Sequence, residues 1–235
     1  MIKQALEYLI GLGKTEIIQV GEHKFATNTL KKIDEPLVRE PFNITTLTGI
    51  VDYIKEGIDC NVIGPEMTIH IESPTSISIY SELAKDKFRE QLVQARAIVP
   101  KIPFDQFFDV ESFNILLQSC FEVNGDRSKV LTIVGTVKEE NVRTTGDDGI
   151  SQMVTAKVGI ASFDDVKVPN PVSLKPYRTF PEIEQPESKF VFRMQDGPRA
   201  ALFEAGGTGW RVEAMLSIKE YLKEKLQGHS VNIIL

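Results

Sequence analysis

The side chains able to do chemistry in this chain are few and scattered. GLGKTE at 11–16 has the Gly-Lys-Thr tail of a phosphate loop, which would cradle a nucleotide on backbone N–H groups. The full pattern needs a glycine five residues before the Gly-Lys pair, where Tyr8 stands. The context is also inverted, because a helical pattern precedes the motif and a strand pattern follows. Phosphates are held where a strand runs into a helix N-terminus. The expected role of the segment is a helix-ending turn. His23, His70 and His229 have no second His, Cys or paired carboxylate at ligand spacing. Asp147-Asp148 sits in TTGDDG, where aspartate serves turn geometry. Asp164-Asp165 lies on an extended run, and neighbours on a strand point to opposite faces. With Mg²⁺ and nearby glutamates that pair would make a metal-dependent enzyme of nucleotide or nucleic-acid metabolism. There is no G-x-S-x-G elbow. Cys120 falls in the apolar pattern FNILLQSCF, where a thiolate is disfavoured.

The densest cluster of charged and aromatic residues lies in 176–222. Arg178, Glu182, Glu184, Glu187, Arg193, Arg199, Glu204 and Arg211 are interleaved there with Tyr177, Phe180 and Trp210, the single tryptophan. A proline-punctuated arm with aromatics and arginines, followed by a glycine-rich turn and Trp, has the composition of an interface. Two expectations follow. Arg193 and Glu204 become cross-strand neighbours if the hairpin pairs in register. The arm, carrying Tyr177, Phe180 and Ile183, packs on a neighbouring subunit. The plainer alternative is a salt-bridged polar sheet face.

Bulk properties bound the rest. The 235 residues are 42% hydrophobic and 26% charged, ordinary for a folded chain able to bury a core. A net charge of −6 argues against bulk binding to a phosphate backbone. Two distant cysteines make no disulfide framework. No run approaches about 18 apolar residues, and MIKQALEYLIGLG lacks a cleavage pattern, so neither a membrane span nor a signal peptide is expected.

The elements that would position these residues follow from periodicity. Helices are expected over 2–11, after the cap Thr45 or Thr46 and ending at Gly57, over 84–96, over 110–121 with Asp109 as cap, and after a turn made by Gly206-Gly207 and Gly209. The last carries a stripe of Val212, Met215, Ile218, Leu222 and Leu226. Strand pairs are expected in TEIIQV with KFATNTL, and in MTIHIESPTSISIY around Pro74-Thr75. KVLTIVGTV and ISQMVTAKVGI are read as a long hairpin with its exposed tip at 141–149. Asp196-Gly197 joins KFVFRM to RAALFEA. The fold class is α+β, a mainly antiparallel sheet built from hairpins with four to five helices, in one domain over 1–235. A subdivision would fall near 100–105, between Pro100 and Pro103.

Several segments together resemble the YfdQ-like family of phage and prophage proteins. PVSLKPYRTFPEIEQPESKFVFRM and ALFEAGGTGWRVEAMLSIKEYL carry the likeness. TLTGIVDYIK at 46–55, SPTSISIYSEL at 73–83, VGTVKEENVRTTGDDGISQMVTAKVGIAS at 134–162 and DVKVPNPVSL at 165–174 extend it. The resemblance implies a phage setting and action in the bacterial host cytoplasm. It implies a role in host-defence inhibition, DNA replication or recombination, or assembly. It brings no catalytic residues with it.

The expected function is recognition by a homo-oligomeric binding protein without catalysis, cofactor, metal or membrane. Its contact residues would be Tyr177, Arg178, Phe180, Arg193, Arg199, Glu204 and Trp210, with the 141–149 tip as a second contact. The partners would be a second copy and a host or phage protein. Nucleic acid is less favoured; its basic face would draw on Lys31, Lys32, Lys85, Lys87, Arg89 and Arg96. A sponge for a nucleotide signal, held by arginines, is the remaining rival.

Overall fold

The computed structural model describes residues 3, 5, 6, 11, 15, 17–20, 23–26, 40–60, 66–84, 87–136, 152–158, 162–168, 170–195, 197 and 199–235. Residues 1–39 and 40–235 form two compact units. In the first, strand β1 (Ile17–Val20) pairs antiparallel with β2 (His23–Ala26), as TEIIQV and KFATNTL predict. Most of GLGKTE, Lys31, Lys32, Lys85 and the 141–149 tip lie outside the described residues.

Within 40–235 the chain is α+β, with two sheets and two separate apolar cores. The first lobe holds a five-stranded sheet in the order β13-β4-β5-β6-β3. Its strands are β3 (Phe42–Ile44), β4 (Met67–Ser73), β5 (Ser76–Tyr80), β6 (Gln91–Arg96) and β13 (Val231–Ile234). Alternation puts Met67, Ile69 and Ile71 inward from β4, against helix α1 (Leu47–Lys55) and helix α4 (Gly209–Lys225). Thr46 caps α1 through Oγ1, which accepts from Gly49 N at 3.1 Å. β13 runs parallel to β4, and β3 parallel to β6, so hairpins alone do not account for this sheet.

The second lobe holds a four-stranded sheet in the order β10-β11-β12-β7. Its strands are β7 (Phe108–Asp109), β10 (Val172–Leu174), β11 (Ser188–Gln195) and β12 (Arg199–Glu204). Helices α2 (Val110–Cys120) and α3 (Gly125–Thr136) cover one face. Phe113, Leu117 and Cys120 point inward from α2 onto Phe190, Phe192 and Met194. Asp109 caps α2, accepting from Ser112 N at 2.9 Å, as expected. A further ribbon pairs β8 (Gln152–Val158) with β9 (Ser162–Val168).

Four expectations are corrected. Residues 84 and 87–96 are not helical. The segment ends in β6, because Val93 and Ala95 alternate inward and the strand gains partners on both edges, β5 and β3. Helix-favouring residues lose there to sheet pairing and burial. Residues 129–136, the described part of KVLTIVGTV, are not a strand but most of α3. Asn124 caps that helix through Oδ1, which accepts from Arg127 N at 2.7 Å, and Arg127, Val130 and Val134 recur on its buried face. ISQMVTAKVGI therefore pairs forward with β9 rather than backward. Val212 is 58% exposed; Ala214, Ile218, Leu222 and Leu226 make the inward stripe of α4 and its C-cap.

Arg127 also closes the neighbouring helix. Its Nε donates to Leu117 O at 2.8 Å and its Nη2 to Gln118 O at 3.1 Å, satisfying carbonyls in the last turn of α2. Among the described residues no helix is long and apolar enough to cross a membrane.

Candidate binding site

The arm between β10 and β11, residues 175–187, is where the predicted contact residues meet. Its root is stitched to the second lobe. Phe121 and Pro176 form a bridge, Tyr177 N donates to Cys120 O at 2.9 Å, and Glu122 N donates to Lys175 O at 2.8 Å. Its crest lies on the first lobe. Thr179 Oγ1 donates to Pro74 O at 2.6 Å, in the turn between β4 and β5. Phe180 and Ile183 enter the first core. Glu182 Oε1 accepts from Thr48 N at 3.1 Å, placing a carboxylate on the positive end of α1.

Gln185 holds the crest in shape. Its Oε1 accepts from Arg178 N at 2.9 Å and Thr179 N at 3.2 Å, while Nε2 donates to Phe180 O at 3.2 Å. One buried amide thus satisfies backbone groups that an extended crossing leaves without a ladder. No periodicity marks Gln185, and a glutamine between Glu184 and Pro186 carries no sequence signal for this role.

Arg178 sits beneath. Its side chain is 9% exposed; Nη1 donates to Glu204 Oε1 at 3.1 Å, and Nη2 donates to Pro186 O at 3.2 Å and to Ser188 Oγ. Its guanidinium carbon lies 3.8 Å from the centre of the Trp210 ring, a cation–π stack; that of Arg211 lies at 5.5 Å. Burial pulls the Arg178 pKa down to about 10; Glu204 and Glu213 oppose that shift, and Arg211 reinforces it. Beside this group is a cleft of about 180 Å³, lined by Lys175, Glu184 to Glu187, Glu213 and Ser217. Lys175 is paired with Glu184, which raises the lysine pKa and lowers that of the carboxylate.

The structure brings Arg178, Glu204 and Trp210 together and leaves the other predicted residues apart. Arg193 faces Ala201 and Glu204 faces Phe190, so the expected Arg193–Glu204 pair does not form. The pairing of Gln195 with Arg199 sets a register that excludes that pair. Arg199 is exposed at the far end of the hairpin and donates to Phe107 O at 3.3 Å. Tyr177 is 38% exposed, whereas Phe180 is fully buried and offers no surface. Phe180 and Ile183 find their apolar partners inside their own chain, so their burial needs no second subunit.

Among the described residues no group of three or more His, Cys, Asp or Glu is placed to hold a metal ion. Asp164 and Asp165 lie in β9 opposite Ala156 and Thr155. Arg89 is exposed and donates to Ser81 O at 3.1 Å, and Lys87 precedes it in the same loop. Comparison with protein-family models, curated proteins and solved structures finds no match.

Proposed function

We propose that this protein is a homo-oligomeric binding protein that works by surface recognition, with Trp210, Arg178 and the adjoining cleft as its recognition site. The observation that carries the reading is the stack of Arg178 on Trp210 at 3.8 Å, beside a cleft whose walls carry Lys175, Glu184, Glu187 and Glu213. Pre-organised Trp and Arg side chains are the anchors that dominate recognition surfaces, because little side-chain entropy remains to be lost on binding. Exposed Val212 and Leu216, one turn apart on the outer side of α4, add apolar surface suited to self-association. The likeness to YfdQ-like proteins supplies the setting: a phage or prophage product acting in the host cytoplasm in support of phage propagation.

The test is native mass by light scattering together with the absorbance spectrum of the purified protein. The reading expects a discrete oligomer free of absorbance near 260 nm. A monomer overturns the oligomeric part. Retained partner binding and wild-type mass in an Arg178→Ala, Trp210→Ala variant overturn the site. A second reading, a nucleotide-signal sponge, is favoured by two guanidinium groups around one indole at the start of α4, and absorbance near 260 nm is its sign.

A further inference from the structure

We propose that the 175–187 arm is a latch between two lobes that hinge about residues 98–101 and 206–208. The helices and strands of each lobe do their substantial packing inside that lobe: α1 on β6 and α4 on β4 and β13 in the first, α2 on β12 and α3 on β10 in the second. The arm makes the crossing, rooted at Phe121 and Cys120 and seated on Pro74, Thr48, Trp210 and the first core.

The two connectors have hinge chemistry. Ala97 N is tied to Thr75 O in the first lobe, and Asp105 N to Leu202 O in the second. Ile102 and Phe104 already pack on the second core. That leaves Ile98 to Lys101 as the span between fixed points, and Ile98 is 81% exposed. The return connector starts after Ala205, whose N–H donates to Lys189 O, and runs through Gly206, Gly207 and Thr208. Gly207 has φ +66°, and a Cβ there would meet nothing within 4 Å, so neither side chain nor packing restrains it.

The latch itself is held by opposing terms. Burial of Phe180 and Ile183 and the Thr179–Pro74 bond close it. Against closure, Arg178 Nε and Glu182 Oε2 are buried without a hydrogen-bond partner. Two ionic side chains are therefore desolvated with incomplete compensation, which lowers the cost of opening relative to unfolding a lobe. The hydrogen bonds of the Arg178 side chain all run to the arm or the second lobe; its stack on Trp210 is the contact that crosses. Opening therefore strips the guanidinium from the single tryptophan and takes the recognition site apart, so that site exists only while the latch is closed.

Two measurements on the full chain test this. Spin labels at Lys55→Cys and Lys129→Cys, in a Cys60→Ser, Cys120→Ala background, report the distance between lobes by pulsed electron resonance. Removing the anchors in Phe180→Ala, Ile183→Ala is expected to add a longer-distance population while amides of β5 and β11 keep their protection from exchange. An unchanged distance distribution overturns the proposal. Loss of β5 protection together with the distance change also overturns it, because the first lobe then needs the arm in order to stay folded and the arm is not a latch. In the unaltered protein, amides of Arg178 and Thr179 are expected to exchange at least about tenfold faster than protected amides of β5. Equal exchange overturns the latch without recourse to any variant.

Discussion

The guanidinium of Arg178 and the indole of Trp210 lie 3.8 Å apart, although one belongs to an arm rooted in the second lobe and the other to the first turn of α4. Trp210 is the only tryptophan, so tryptophan emission comes from this ring. Arg178→Lys is expected to keep the charge and lose the stack, because an ammonium cannot lie flat on a ring or hold Glu204, Pro186 and Ser188 at once. A shifted Trp210 emission with near-wild-type circular dichroism is the expected result. An unshifted spectrum counts against the stack.

Glu204 is half-open to water while its partner is buried. Removing it in Glu204→Gln leaves Arg178 with less compensation for its desolvation. The loss expected from a fully buried pair is about 3–5 kcal/mol, and the 41% exposure of Glu204 cuts this to about 1 kcal/mol. Urea midpoints at constant m-value measure it.

Phe180 is fully buried in the first core. Phe180→Ala is expected to weaken the seating of the arm on the first lobe by about 3–4 kcal/mol, through lost transfer energy and a residual cavity. Tyr177→Ala, three residues earlier at an exposed position, is expected to stay within about 0.5 kcal/mol. Comparable losses at both positions would mean that the arm is not seated as described.

Arg127→Met keeps the apolar stem of a buried side chain and removes its bonds to Leu117 O and Gln118 O. The expected loss is about 2 kcal/mol, from carbonyls at the end of α2 left without a donor. Faster amide exchange around α3 and the end of α2 should accompany it, with β4 and β5 unaffected.

The Asp126 carboxylate accepts from Ser173 N at 3.0 Å and pairs with Lys129 at 3.1 Å, which together hold its pKa below the ordinary 3.8. A carboxylate depressed in the folded state contributes stability that is present above its unfolded value. That contribution fades as pH falls below 3.8 and through the folded pKa. Asp126→Asn is therefore expected to flatten the acid limb of stability against pH in that window, read by thermal melts from pH 5 downward.

The sequence made α1 and α2 legible because their signals are local. A capping Thr46 or Asp109 precedes an apolar face at helical spacing, and both caps form. α3 and β6 depart from their sequence expectations for one shared reason: propensity and tertiary demand disagree. Val130, Leu131, Ile133 and Val134 favour a strand by type, yet Asn124 and the fit of Arg127 to α2 set a helix. Glu90, Gln91 and Gln94 favour a helix, yet the gap between β5 and β3 sets a strand. The pairing of Glu204 with Arg178 in place of Arg193 depends on turn length and on where the arm folds back, and neither is written in residue types.

β13 lies parallel on β4, and α4 covers the sheet that residues 42–96 begin. The first lobe is thus assembled from two stretches of chain, with the second lobe emerging between them during synthesis. On the ribosome, Met67, Ile69 and Ile71 must wait, without the cover of Ile218 and Leu222, until Gly209 to Ile234 has been made. The second lobe, whose core draws only on residues 102–202, can close while they wait. Of the two lobes, the one begun first is the one finished last.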